Sequence, residues 1–229
     1  MLVKHINKCI KNNNTVIYGQ NINAGSCLSG LTKGLSQNDS TIAINTPNSE
    51  NTLVGIGFGL MMNGLNSVFF MKQLDFLLLG IDQIVNTYNI LRQNPQNKSF
   101  TIFPVTVDSG YEGPQAALNN IDDFCSIAGI EGYSITNKLD ADLIINKYLV
   151  KPGFRIISTG QRLLKEETLN LEILNADINL GYFQYTKGES STIVCFNHSL
   201  EYGYNLVNEL KTKNKTSSLF SINSHLKAL

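Results

Sequence analysis

The chain has 229 residues, and its 18 lysines and arginines balance its 18 aspartates and glutamates, so the formal net charge is zero. It has neither a basic patch with interleaved aromatic residues nor a run of roughly 20 apolar residues, so we expect no nucleic-acid partner and no membrane association. The first residues lack the apolar run of a signal peptide, which indicates a cytoplasmic protein. The length suits one large domain or slightly more.

Four cysteines and three histidines are spread along the chain, and no two cysteines form a C-x-x-C pair. Structural metal sites need closely spaced ligands, so the sequence predicts no metal bound by this chain alone. The cysteines are expected to remain reduced thiols.

Short apolar runs alternate with helical patterns along the chain. The predicted strands cover residues 15–18, 41–44, 67–70, 100–107, 156–158, 192–196 and 218–222. The predicted helices cover residues 52–63, 76–92, 139–148 and 201–211. Near-continuous apolar strands in alternation with helices predict an α/β fold, with a mainly parallel sheet and helices on both faces. Pro104 lies inside the fourth run and can shorten that strand.

The predicted helix at 76–92 is apolar around most of its circumference. Asp82, Asn86 and Asn89 form its one polar stripe, at spacings of i, i+4 and i+7. A helix of this kind is buried in a core or at a subunit interface, and its polar groups need partners. Two interpretations stay open: the stripe bonds neighbouring loops, or it orders an active-site wall or a dimer seam.

Glu50 stands alone between a strand and a helix. The strand at 41–44 stops at a proline turn, and Glu50 opens a helix of small and apolar residues. Apolar surroundings raise the pKa of a carboxyl group and the positive end of a helix lowers it, so we predict a proton-transfer group. A turn-rich loop at 110–114 follows another strand. Loops at the carboxyl ends of parallel strands form ligand crevices, so both loops should converge on one site.

Glycines 55, 57 and 59 do not form a dinucleotide-binding fingerprint. The G-x-G-x-x-G pattern would need glycine where Leu60 stands, and the run lies within a predicted helix. We expect these glycines to permit close helix packing instead.

Several ordered motifs resemble those of thiamine-diphosphate enzymes. The runs Thr46-Pro47-Asn48-Ser49-Glu50 and Gly55-Ile56-Gly57-Phe58-Gly59 are similar to the family's T-P-x-S-E and G-I-A-x-G. Residues 70–76, the D-Q-I-x-N pattern at 82–86 and Gly113-Pro114-Gln115 are also similar to family segments. The chain most resembles the carboxy-terminal half of transketolase and the beta subunits of 2-oxoacid dehydrogenase decarboxylating components.

The resemblance implies a domain organisation. A pyrimidine-binding, transketolase-like domain would occupy residues 1–165, followed by a linker at 166–177. A shortened βαβ unit, similar to the start of the transketolase carboxy-terminal domain, would occupy residues 178–229.

The resemblance also implies a site. Glu50 would hydrogen-bond the ring nitrogen opposite the amino group of the cofactor's aminopyrimidine and activate it. Further residues are implied to contact the cofactor: Ser49, Met71, Leu74, Phe76 and Gln115. Asp82, Gln83 and Asn86 would lie at a subunit interface.

The sequence lacks two motifs that the family uses in its active site. The family's His-Ser-Gln would fall at Ala116-Ala117-Leu118, so its histidine is missing, and His198 and His225, in the second domain, are poor substitutes. The G-D-G…N motif that holds diphosphate and Mg²⁺ is absent, so an alpha-type partner subunit would supply both. We expect self-association into a dimer or a two-plus-two heterotetramer.

Two functions are consistent with these features. The chain is a subunit of an enzyme that transfers a two-carbon ketol or acyl unit from a small keto-sugar or 2-oxoacid, or it is a catalytically silent paralogue that binds or regulates. The missing histidine and the short second domain favour the silent paralogue. Glu50 favours the enzyme, because an unused carboxylate in an apolar cleft is costly to keep.

Overall fold

The computed structural model describes residues 2–110, 113, 121–165, 169 and 171–225. The predicted cofactor contact at Gln115 and the positions of the missing His-Ser-Gln therefore lie outside the described residues.

The larger sheet is built from parallel strands in one layer. They are β1 (Thr15–Gly19), β2 (Thr41–Asn45), β3 (Asn66–Met71), β4 (Ser99–Thr106), β5 (Glu131–Ile135) and β6 (Gly153–Gly160). A short last strand, β11 (Ser224–His225), pairs antiparallel with β5. The order across the seven-stranded sheet is β11-β5-β6-β4-β3-β1-β2. Pro104 lies inside β4 opposite Met71, so it does not end that strand.

Helices cover both faces of this sheet, as predicted. On one face, α1 (Leu2–Ile10) and α5 (Lys138–Tyr148) pack in a core that also contains Ile17 and Val68. On the other face, α2 (Glu50–Met62) and α4 (Ile121–Ala128) pack in a second core. Because apolar residues cover them from both sides, β3 and β4 are buried along their whole length. The prediction of an α/β fold with a mainly parallel sheet is confirmed.

The predicted helix at 76–92 is an irregular helical segment. It begins with a tight 3₁₀ turn at Leu74–Gly80, widens into a π-helical turn at Gln83–Thr87 and ends with α3 (Tyr88–Leu91). We call residues 74–91 the irregular helix. On this segment Leu78, Leu79 and Ile90 are 50%, 64% and 69% exposed, and the alternative, burial at a subunit interface, stays a prediction. The chain's own core therefore does not cover this face.

The smaller sheet has four strands in the order β7-β8-β10-β9. Its elements are β7 (Asn175–Asp177), β8 (Tyr182–Thr186), β9 (Ser191–Phe196), α7 (Leu200–Thr212) and β10 (Ser217–Ile222). Strands β9 and β10 are parallel and joined by α7, which makes the expected βαβ unit. A short helix, α6 (Gln161–Leu164), follows β6. The domain limits at 165 and 178 stay a prediction.

Polar side chains connect the two sheets. Asp140, in the first turn of α5, is fully buried and accepts hydrogen bonds from Thr136 Oγ1 at 2.5 Å and from Asn223 Nδ2 at 2.9 Å. Burial raises the pKa of Asp140 to about 6, although these hydrogen bonds act in the opposite direction. His225 lies between Ser134 (Nε2–Oγ, 2.8 Å) and Asp122 (Nδ1–Oδ1, 2.5 Å). These contacts hold the carboxy-terminal part of the described chain against the larger sheet.

Candidate functional site

Glu50 lies in an open cleft of about 280 Å³ at the carboxyl edge of the larger sheet. The cleft is lined by residues that follow β1 and β3 and by the first turn of α2. It brings together three of the predicted site residues, Glu50, Met71 and Phe76. Gln20 and Lys72 also line it, and sequence reasoning missed both.

Contacts of the first turn of α2 with its neighbours fix the position of Glu50. Tyr18, which is buried in β1, donates its hydroxyl to the Leu53 carbonyl at 2.8 Å and so ties the first turn of α2 to the sheet. A side chain at Gly80 would lie 2.8 Å from Val54 Cγ2 and 3.4 Å from the Glu50 carbonyl oxygen. The glycine therefore lets the irregular helix approach the first turn of α2 closely.

Glu50 carries a free hydrogen-bond acceptor into the cleft. The residue is half-buried at the amino end of α2, and no residue in the described part of the chain donates to its carboxylate. Ser49 is exposed and bonds Thr52 Oγ1 at 2.8 Å, without capping the helix backbone. The cleft thus pairs an unpartnered carboxylate with the apolar side chains of Met71 and Phe76.

The other predicted contact residues have different surroundings. Leu74 is fully buried and is not among the described residues that line the cleft. Gln115 lies outside the described residues, so the convergence of its loop with the Glu50 loop stays a prediction. Their contact with a cofactor also stays a prediction.

Polar side chains of the irregular helix form hydrogen bonds mainly with one another. Asn86 Nδ2 donates to Asp82 Oδ1 at 2.6 Å, and Thr87 Oγ1 donates to Gln83 Oε1 at 2.7 Å. Asp82 and Asn86 are exposed, next along the chain to the exposed apolar residues of the same segment. A role for Asp82, Gln83 and Asn86 at a subunit interface stays a prediction.

A second cleft, of about 360 Å³, opens at the same edge of the sheet, beyond β4. Its polar lining residues are Asp108, Thr136, Arg162, His198 and Glu201. Arg162 donates its backbone N–H to Asp108 Oδ1 at 3.0 Å, and its guanidinium is paired with Glu201. Sequence reasoning placed His198 in a separate domain. The structure brings it to the edge that also holds Glu50, because the smaller sheet packs against the ends of β5 and β6.

His198 is a neutral imidazole in this cleft. Burial lowers its pKa to about 4, with Asp108 opposing this change and His225 adding to it. Its Nε2 atom is shielded from solvent and has no hydrogen-bond partner among the described residues.

In the described part of the chain, no group of three or more histidine, cysteine, aspartate or glutamate residues is arranged to hold a metal ion. None of its helices combines the length and the apolar character needed to cross a bilayer.

Transketolases are among the solved structures with this fold. A split-gene transketolase, described as an inactive beta4 tetramer, aligns with a TM-score of 0.66 at 12% identity, over 97% of this chain and 70% of its own. The transketolase of Campylobacter jejuni subsp. jejuni NCTC 11168 aligns with a TM-score of 0.74 at 10% identity, over 97% of this chain and 35% of its own. A mutant transketolase from Pichia stipitis aligns with a TM-score of 0.68 at 11% identity, over 98% of this chain and 35% of its own.

The chain has the transketolase fold. Neither a protein-family model nor a curated protein matches its sequence, so the likeness lies in the fold alone. The chain spans 35% of the length of the Campylobacter and Pichia transketolases. The sequence motifs that resemble thiamine-diphosphate enzymes are thus found on a chain with the corresponding transketolase fold.

Proposed function

We propose that this chain is the beta-type, pyrimidine-binding subunit of a split thiamine-diphosphate enzyme that transfers a two-carbon ketol or acyl unit. The observation that carries the proposal is the unpartnered Glu50 carboxylate beside Met71 and Phe76, at the carboxyl edge of a sheet with the transketolase fold. A carboxylate that has no donor among the described residues can exchange a proton with a ligand.

We propose that the cleft receives the aminopyrimidine ring of the cofactor. Such a ring is flat, with apolar faces and a polar edge, and the cleft offers Met71 and Phe76 for the faces and Glu50 for the edge. When bound, thiamine diphosphate supplies a thiazolium carbon that adds to a substrate carbonyl. Glu50 would hold the proton shared with the ring nitrogen opposite the amino group. Ser49, Leu74 and Gln115 complete the proposed cofactor-binding residues.

An alpha-type partner subunit would hold the diphosphate and Mg²⁺. The split-gene transketolase among the structures with this fold supports this division of labour. We propose that Asp82, Gln83 and Asn86 lie in a subunit interface, because exposed Leu78 and Leu79 immediately precede them. A dimer or a two-plus-two heterotetramer would cover this apolar surface.

The proposed domains are 1–165 and 178–229, joined by the linker 166–177, in a cytoplasmic enzyme of carbohydrate or 2-oxoacid metabolism.

Replacement of Glu50 by Gln tests the proposal. In the complex with its partner, Glu50→Gln should abolish cofactor-dependent turnover and leave assembly intact, because the amide retains the shape but cannot exchange the proton. Glu189→Gln, at an exposed position in the loop between β8 and β9, is the matched control and should leave turnover unchanged. Full turnover by the Glu50→Gln complex would refute the role of Glu50.

A catalytically silent paralogue is the second candidate. The observation that favours it is the alanine at 116, where the family has histidine. A silent subunit would still assemble with its partner, but wild-type and Glu50→Gln complexes would be equally inactive with keto-sugars and 2-oxoacids. Turnover by the wild-type complex alone would exclude this candidate.

A further inference from the structure

We propose that a second copy of this chain pairs with the open edge of the smaller sheet, so that two β9 strands run antiparallel across a two-fold axis. This contact is separate from the surface of the irregular helix, and it does not depend on the proposed function.

Strand β9 ends the smaller sheet on one side. In the part of the chain that the structure describes, no strand pairs with its outer edge. Free edges are usually protected by short length, charged residues or proline. The opposite edge has such protection, since β7 has three residues and ends at Asp177. Strand β9 has six residues, Ser191 to Phe196, without charge or proline, so its outer backbone groups are open to another strand.

Apolar side chains of β9 are exposed on the face that points away from α7. A side chain at Gly203 of α7 would lie 3.4 Å from Ile193 Cγ2 and closer still to Cys195 Sγ, so these two residues face the helix. Successive residues of a strand point to opposite faces, which places Val194 and Phe196 on the other face. They are 47% and 59% exposed.

Helix α7 also exposes an apolar flank. Tyr202 and Leu206 are one turn apart on the same side of the helix and are 71% and 44% exposed. Tyr204 lies about 200° around the helix from both of them. It packs against the core that also contains Phe183 of β8 and Ile144 of α5. Tyr202 and Leu206 therefore lie on the flank towards the open edge of β9, and apolar side chains are exposed both above and below this edge.

The distances across a β9–β9 pair match those of packed helices. A side chain at Gly203 would also lie 2.9 Å from Leu219 Cδ1, so α7 lies over both β9 and β10. Neighbouring strands are about 4.8 Å apart, so the axis of α7 is about 2.4 Å inside β9 and the two-fold axis is about 2.4 Å outside it. The two α7 helices would be about 10 Å apart, within the usual range of about 8–10 Å for packed helices. Tyr202 and Leu206 would fill the seam between them.

The charges at this edge allow the surface to meet a copy of itself. A two-fold contact brings together the same surface of both copies, so a net charge would repel. Strand β9 is uncharged. Further along the exposed flank of α7, Glu209 and Lys213 form an ion pair at 2.8 Å, and their charges sum to zero.

The exposed area predicts a weak dimer. If a fully exposed side chain offers about 180 Å², then Val194, Phe196, Tyr202 and Leu206 together offer roughly 400 Å² per copy. The dimer would bury about 800 Å² of these side chains in addition to the β9 backbone, at the low end of the sizes of specific interfaces. We expect a dissociation constant of about 10–100 µM.

Sedimentation velocity of the full chain in a Leu79→Lys background tests this contact. That substitution, at a side chain 64% exposed, charges the irregular helix and removes the other proposed surface of self-association. We expect a monomer–dimer equilibrium. Val194→Lys and Leu206→Lys should each raise the dissociation constant at least about tenfold, because every dimer contains the substitution twice. Leu180→Lys, in the turn between β7 and β8 at the opposite edge, is the control and should leave it unchanged. A chain that stays monomeric, or a dimer of unchanged affinity in Val194→Lys, overturns the proposal.

Hydrogen exchange of the wild-type chain is the second measurement and needs no substitution. The amide groups at the outer edge of β9 should exchange about fourfold more slowly at ten times the dissociation constant than at one tenth of it, following the fraction of monomer. The amide groups of β7 should show no such change. Equal exchange of β9 at both concentrations would overturn the proposal. Slower exchange of β9 only after a different subunit is added would assign the edge to that subunit and would also overturn it.

Discussion

Gly57 permits the close approach of α2 to β4, and its replacement by Ala tests the packing that positions Glu50. A side chain at this position would lie 2.6 Å from Phe100 Cδ2 and closer still to Cε2 and Cζ. Phe100 is fully buried, with its ring 5.0 Å from that of Phe58 and 5.0 Å from that of Phe154. Since these rings surround it, Phe100 cannot turn aside without displacing α2.

The size of the effect follows from two opposing contributions. Any glycine replaced by alanine inside a helix gains about 1 kcal/mol of helix propensity. Overpacking at Gly57 costs about 1–3 kcal/mol. No atom lies within 4 Å of the same group added at Gly59, so Gly59→Ala should gain helix propensity without overpacking. The two variants should therefore differ by about 1–3 kcal/mol, or about 2–12 °C in Tm for a chain of this length.

Thermal unfolding followed by circular dichroism measures this difference. We expect Gly59→Ala to melt above wild type and Gly57→Ala to melt clearly below Gly59→Ala. Phe100→Leu should be less harmful in the Gly57→Ala background than in wild type, because the smaller side chain relieves the contact. Equal melting temperatures for the two alanine variants would refute the close packing of α2 on Phe100.

Three further predictions concern the core and the contacts between the sheets. Burial raises the folded-state pKa of Asp140 to about 6, so this residue stabilises the fold below pH 4 and loses that contribution as the pH rises through 6. Asp140→Asn should abolish this decrease of the unfolding free energy, measured by urea unfolding between pH 4 and 7. An unchanged pH dependence in the variant would contradict the prediction. His225→Ala should cost about 1–3 kcal/mol in urea unfolding, because Ser134 and Asp122 each lose one hydrogen-bond partner, and a loss no larger than that of the surface variant Lys213→Ala would argue against the contact. Phe58→Ala should cost about 3–5 kcal/mol in the same assay, whereas Phe196→Ala, at a side chain 59% exposed, should cost far less; similar losses would refute the assigned core.

The strands that were predicted well have a sequence of mostly apolar residues with few interruptions. Strands β1, β3 and β4 are buried along their whole length and mostly apolar, because both of their faces are covered. Strand β5 was missed, since Glu131, Gly132 and Ser134 interrupt its apolar pattern; it is a strand because β6 and β11 pair with it. Helix α1 was missed as well, although Leu2, Ile6 and Ile10 recur at helical spacing.

The candidate site was predictable only in part. Glu50, Met71 and Phe76 are close in sequence, and family motifs indicate their proximity. The cleft around His198 depends on how the smaller sheet packs against the ends of β5 and β6, and no local pattern encodes that arrangement. The sequence left open whether Leu78 and Leu79 pack in the chain's own core or at a subunit interface, because an apolar helix surface has the same pattern in both cases.

Strand β11 has a consequence for the order in which the chain is completed during synthesis. His225 contacts Ser134, which is 91 residues earlier in the sequence. On the ribosome, the outer edge of β5 stays unpaired until residues 224–225 emerge, and unpaired strand edges favour aggregation. The larger sheet can therefore acquire its final strand only after the whole smaller sheet has been translated.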